Sequence, residues 1–277
     1  MSTEWERVRA FFAWLRERAE SEGGFAAILE ICGFNDWLLK MLVEYGCRET
    51  VLIQPGKRSK KKTDRRDANA LSELLWVNRR RLLEGKPVHQ LRRVLPPGAE
   101  EQRNRQLTAL RKRLTQLRTK AINRVQHLLL RHNLQQECPT KEIQTKKAKQ
   151  WLRQLELDWM DRLELNLLLD QWEMYDKQID EVNVEIKKRQ EEDEVAAIVA
   201  TIPGAAAYSS LTIASRIGPI DRFARAKSLA NFWGLTPGCR NSGDATDRLG
   251  SITKEGAAWF AVSSDNWCST CCGATRS

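Results

Sequence analysis

Apolar residues mark out the elements of this chain before any other property does. Trp5, Val8, Phe11, Phe12 and Leu15 recur every three or four positions, the spacing of one helix face, and predict a helix over 3–20. The apolar run GFAAILEI (24–31) follows a glycine pair and predicts a buried strand. FNDWLLKMLVEYG (34–46) predicts a helix closed by Gly46, and ETVLIQP (49–55) a second strand stopped by Pro55. KKKTDRRDANALSELL (60–75) then passes from a basic run into an apolar-periodic helix. Strand, helix, strand, helix is the order of a parallel sheet with covering helices.

The middle of the chain changes period. Leu107, Leu110, Leu114, Leu117, Ala121, Val125 and Leu128 form one seam, and Leu165, Leu168, Trp172, Tyr175, Ile179, Val182 and Ile186 form another. Steps of three and four sustained this long predict two long helices of coiled-coil type, either antiparallel partners or a dimerising arm. The basic stretch TKEIQTKKAKQWLRQL (140–155) between them also has helical spacing. After Glu194 the residues become small, apolar and Gly-punctuated. FARAKSLANFWGLTPG predicts a short helix ending near Gly234, and CRNSGDATDRLGSITKEG (239–256) a polar, Gly-rich loop.

Charge narrows the function classes. The net charge is +10 with 30% charged residues, while 42% hydrophobic residues suffice for a core. Such a balance points to a polyanionic partner, with nucleic acid first among them. No run of 18 apolar residues is present to span a membrane, and the N-terminal segment has the pattern of an amphipathic helix rather than a signal peptide. Seven cysteines, an odd number scattered through a long basic chain, fit a reduced, intracellular protein.

Two aspartates stand inside the most basic stretch. Asp64 and Asp67, at i and i+3, face the same way on a helix. Together they offer oxygen ligands to Mg²⁺, and the neighbouring Lys57, Arg58, Lys60, Lys61, Lys62, Arg65 and Arg66 suit a phosphate backbone. The alternative is structural: Thr63 or Asp64 caps the helix and the acids complement its dipole. Glu30 interrupts the apolar run AAILEICG, where an acid is costly without a role. It is either a site carboxylate on a buried strand or an outward-facing residue of an edge strand. A strand carboxylate followed by a βα unit and a pair of helix acids is the layout of a metal nuclease with a ribonuclease-H-like sheet.

Four segments, in order, resemble the transposases of the insertion sequence 110 family. They are ILEICGFNDWLLKML, IQPGKRSKKKTDRRDANALSELL, TIPGAAAYSSLTIASRIGPIDRFARAKSLANFWGLTP and NSGDATDRLGSITKEG, and the resemblance covers roughly 25–256. It implies a DEDD-type, resolvase-like domain holding Mg²⁺, a coiled-coil middle and a C-terminal domain with a nucleophilic serine. Glu30, Asp64 and Asp67 match three of the family's four carboxylates, and Ser242 matches its serine. DNA is the implied partner, with a guide RNA encoded by the element, self-association through the coiled coil, and a place in the bacterial cytoplasm at the nucleoid.

The expected fold class is therefore α/β plus mostly α. It comprises a partial ribonuclease-H-like domain at 1–97, a coiled-coil region at 98–194, a small helical domain at 195–256 and a divergent tail at 257–277. No aspartate precedes Asp36, so the family's first carboxylate has no counterpart. This, with the Cys-rich tail carrying Cys268, Cys271 and Cys272, leads to the expectation of a truncated, altered and inactive copy. PGAAAYSS also lacks the second glycine of the family's hairpin-like turn.

Overall fold

The computed structural model describes residues 4–31, 36–54, 63–86, 93–239 and 249–252. The chain divides into two compact units, Met1–Pro96 and Pro97–Ser277. The described part is rich in helix and carries little sheet.

The first unit contains helix α1 (Trp5–Ala19), strand β1 (Phe25–Glu30), helix α2 (Asp36–Glu44), strand β2 (Cys47–Ile53) and helix α3 (Asp64–Leu83). The strands pair in parallel with Ile28 opposite Val51 and Glu30 opposite Ile53. The expected parallel sheet is present as this pair, with Arg93 adding an isolated antiparallel bridge to Ile53. Alternation sorts the strand residues between two faces. Phe25, Ala27 and Leu29 pack with Val8 and Phe12 of α1 and Met41 and Leu42 of α2. Ile28, Val51 and Ile53 pack with Leu71, Leu74, Leu75 and Leu82 of α3. Gly24 makes the entry to β1 possible. Its φ of +120° is open to few L-residues, and an added Cβ would lie 2.6 Å from the Gly46 carbonyl oxygen.

The second unit is helical. Helix α4 (Ala99–Arg131) and helix α6 (Trp159–Glu192) carry the two seams, joined through helix α5 (Lys146–Gln154). They run antiparallel: Arg131 meets Asp161, Arg118 meets Asp176, and Arg111 donates to Asn183 (3.4 Å). The seams are thus consumed within one chain. Val125, Leu128, Leu129, Leu165, Leu168, Leu169 and Trp172 form one cluster closed by Leu152 of α5. The basic connector is shorter as a helix than its spacing predicts. Thr145, with extended backbone, accepts the Ala148 N–H at 3.2 Å and starts α5 there, while Gln135–Glu137 forms a single 3₁₀ turn.

Helices α7 (Glu194–Ala200), α8 (Ala207–Ile217) and α9 (Ala226–Phe232) follow. Ile186 of α6, Ala196 of α7 and Leu211 and Ala214 of α8 share a core. The segment expected as a polar loop contains a strand: β4 (Leu249–Ile252) pairs antiparallel with β3 (Pro237–Cys239). Backbone pairing supplies this element where side-chain pattern does not, and a Cβ on Gly250 would sit 3.1 Å from the Gly238 carbonyl oxygen.

Candidate nucleic-acid interface

Glu30 ends β1 and is half-buried. It continues the Ala26–Ile28 row, so it belongs to the sheet face that α3 covers. The Ile31 N–H donates to the Ile53 carbonyl at 2.9 Å, holding the strand end beside β2. Asp64 and Asp67 occupy the first turn of α3, and Thr63 is the N-cap residue. Its hydroxyl makes no cap bond, but its carbonyl accepts the N–H groups of Arg66 (3.0 Å) and Asp67 (3.1 Å). Arg65 and Arg66 are exposed on the same turn.

The carboxylates do not converge. Among the described residues no three His, Cys, Asp or Glu side chains come close enough to hold a metal ion. Glu30, Asp64 and Asp67 therefore do not fit Mg²⁺ as an assembled trio. Their arrangement does satisfy the structural alternative for the helix pair, since acids in a first turn complement the helix dipole. Lys57, Arg58, Lys60, Lys61, Lys62, Ser242 and Cys268, Cys271 and Cys272 lie outside the described residues.

The second unit gathers arginines that the sequence reading missed. Arg105 of α4 donates from Nε to the Ser215 carbonyl (2.7 Å) and from a terminal nitrogen to the Arg216 carbonyl (3.4 Å). Arg222 reaches the same Arg216 carbonyl at 3.4 Å, so two cations close the C-terminus of α8, where the helix dipole is negative. Burial pushes the pKa of Arg105, Arg216 and Arg222 below the usual guanidinium range; Glu101 opposes this at Arg105 and Arg222, and the Tyr208 phenol at Arg216. Gly218, at φ +62°, leaves room for Glu101, whose carboxylate would be 3.3 Å from an added Cβ. Glu101 also accepts the Gly98 N–H at 3.0 Å.

Beside this group α4 and α8 enclose a pocket of about 330 Å³, with Lys112, Arg113 and Gln116 on one wall and Tyr208, Thr212 and Arg216 on the other. The signal for one wall was in the sequence: Arg111, Lys112 and Arg113 form a basic triplet within the leucine seam. No helix among the described residues is long and apolar enough to cross a membrane.

Residues 196–260 match a family model described as the transposase IS116/IS110/IS902 family. The chain is also 27% identical, over 243 residues, to the transposase for insertion sequence element IS1111A of Coxiella burnetii (strain RSA 493 / Nine Mile phase I). That similarity covers 83% of this chain and 61% of the relative, so the chain spans about three-fifths of the length of the curated relative it matches. The family match begins in α7, includes α8 with its arginine-capped end, and runs past the β3–β4 pair. Residues 196–260 thus carry the match to the IS116/IS110/IS902 transposase family, and the similarity to an insertion-sequence transposase extends along most of the chain.

Proposed function

We propose that the protein binds DNA and acts in the cutting and joining of DNA at insertion-sequence ends. The observation that carries this reading is the similarity to the IS1111A transposase along 243 residues, which takes in residues of both compact units. The net charge of +10 and the basic α4–α8 pocket support a polyanionic partner.

In this reading β1, β2 and α3 belong to a ribonuclease-H-like, resolvase-like sheet, with Glu30, Asp64 and Asp67 as its carboxylates. Mg²⁺ is the ion such oxygen ligands would take. Because the three are not assembled around a common point, no step is derived through the metal. Ser242 is the nucleophile: its Oγ forms a bond to a DNA phosphorus as one phosphorus–oxygen ester bond to deoxyribose breaks. The serine proton goes to a base and the departing sugar oxygen takes one up. A guide RNA from the element, with action at the nucleoid, completes the reading. Self-association is proposed through the outer side of α6, where Met160, Leu163, Leu167 and Met174 are exposed at near-heptad spacing.

The test is incubation of the full chain with element-end DNA, the element-derived RNA and Mg²⁺, followed by denaturing electrophoresis. A covalent protein–DNA adduct that Ser242→Ala abolishes is expected. An adduct that survives this substitution overturns the role of Ser242. No binding of DNA or RNA at low salt overturns the reading as a whole.

A second reading, nucleic-acid binding without strand cleavage, is favoured by one observation, the lack of convergence of Glu30, Asp64 and Asp67. It predicts binding without the adduct.

A further inference from the structure

We propose that the pocket between α4 and α8 is a seat for a backbone phosphate of a nucleic acid. The proposal rests on the functional reading above only in taking the partner to be a nucleic acid.

The wall chemistry is one-sided. Lys112, Arg113 and Arg216 line the pocket, and among the described residues no acid does. Elsewhere along α4 Arg103 meets Glu100, Arg118 meets Asp176, and Arg131 meets Asp161 and Glu164, while Arg105 and Arg111 are held by carbonyl and amide oxygens. Lys112 and Arg113 are exposed, and neither has an ion pair among the described residues. Two adjacent cations are thus open at the mouth of a cavity; Lys120 and Arg124, also exposed and without an ion pair among the described residues, do not line it.

The other wall is preorganised. Tyr208 is half-buried and its ring carries the Arg111 guanidinium 4.5 Å from the centroid. Arg111 in turn donates to Asn183 of α6 at 3.4 Å, which ties this wall to the hairpin. Arg216 donates to the Thr212 carbonyl at 3.4 Å, one turn back on α8, so its guanidinium is held along the helix rather than free to sweep. Burial already disfavours its charge, and an anion in the pocket would offset that cost. Gln116 and Thr212 add polar side chains to the lining.

These features select among anions. A small metabolite site would be mostly apolar and enclosed. Here Lys112 and Arg113 stand at an exposed rim above the half-buried Arg216, which suits a polymer whose phosphate enters while its neighbours remain in solvent. Lys112 and Arg113 contact phosphate as cations without reading sequence, so the pocket positions the polymer and does not choose its bases.

The experiment is fluorescence anisotropy on the full chain with three labelled probes of one sequence: duplex DNA, single-stranded DNA and RNA. The variant is Lys112→Ala with Arg113→Ala. A control, Lys177→Ala with Lys188→Ala, removes the same charge from exposed positions on α6. For at least one probe the pocket variant should bind about tenfold or more weakly, and its log–log salt slope should fall by about two, one for each lost phosphate contact. The control should lose much less. The probe that shows the loss identifies the polymer the pocket holds. If wild type binds and the pocket variant binds equally well, or loses no more than the control, the pocket proposal is wrong while the nucleic-acid reading stands. If wild type binds none of the probes, both are wrong.

Discussion

Asp176 of α6 accepts a hydrogen bond from the Nε of Arg118 on α4, across the helical hairpin. Its second oxygen accepts from Lys149 of α5 at 2.9 Å. All three side chains are about two-thirds or more shielded from solvent. Removing the carboxylate leaves two cations facing each other, with only the Gln144 side-chain oxygen on Arg118 and the Trp172 ring beneath Lys149 to offset their desolvation. Asp176→Ala should therefore cost about 2–3 kcal/mol, more than an exposed ion pair would. In a unit of this size that corresponds to a fall of roughly 4–12 °C in the thermal midpoint, measurable by calorimetry. A change under about 1 °C would show the triad to be energetically idle.

Trp172 gives a test of packing. It is fully buried in the cluster between α4, α5 and α6, and its indole N–H has no hydrogen-bond partner among the described residues. Trp172→Ala should destabilise the unit by about 3–5 kcal/mol through the cavity it leaves. Trp172→Phe should cost distinctly less, because it retains a ring and removes an unpaired polar group. Chemical denaturation of the two variants side by side checks the order.

The exposed and buried sides of α6 should respond differently to charge. Leu168 and Ile179 face into the hairpin and are buried, so Asp at either position should reduce helix content by circular dichroism. Leu163 and Leu167 are about half exposed. Leu163→Glu with Leu167→Glu should leave helix content unchanged and lower the mass seen by light scattering if copies associate there. Unchanged mass from an oligomeric wild type would remove this face as the contact.

Much of this arrangement was legible in the residues. The two seams were recognisable because their partners carry the same period, so Leu114, Ala121 and Val125 and, opposite, Leu165, Leu168 and Trp172 are buried as the spacing requires. Whether they pair within a chain or between chains was not legible, since both solutions bury the same residues. The extent of α5 was hidden because 140–155 keeps helical spacing throughout, and a local bond from Thr145 sets where the helix starts. The β3–β4 pairing was hidden because glycine-rich backbone carries no side-chain alternation. Asp64 and Asp67 read correctly as one helix turn, but convergence with Glu30 depends on how α3 crosses the sheet, which no local spacing encodes. The α4–α8 pocket joins Lys112 to Tyr208, residues nearly a hundred positions apart, and only the tertiary fold makes them neighbours.

Binding to nucleic acid should weaken steeply with salt. With several phosphates neutralised, affinity should fall by about 10³-fold or more between 50 and 200 mM salt. A flat dependence would mean that the +10 charge does not act through phosphate contacts.

The acids of the first unit should separate cleavage from binding. Asp64→Asn with Asp67→Asn should lower any strand-cleavage rate, assayed with and without Mg²⁺, by about 10²-fold or more. Duplex affinity should not fall, because the substitutions remove negative charge. A double variant that cleaves normally would leave these residues with the helix-stabilising role that their first-turn position already permits.

The antiparallel arm also carries an order of assembly. Its cross-links join residues 30 positions apart at the closed end, Arg131 with Asp161, then 58 for Arg118 with Asp176. The separation grows to 72 for Arg111 with Asn183 and 89 for Glu100 with Arg189 at the open end. Closing a short loop costs less chain entropy than closing a long one, and each contact made shortens the loop left for the next. The arm should therefore zip from the turn around α5 outward, so that Glu100 and Arg189 meet last. Helix α8 packs against residues of that open end, Leu107 and Val182 among them. The α4–α8 pocket would then be the final part of this unit to form, and the first to be lost when the arm frays.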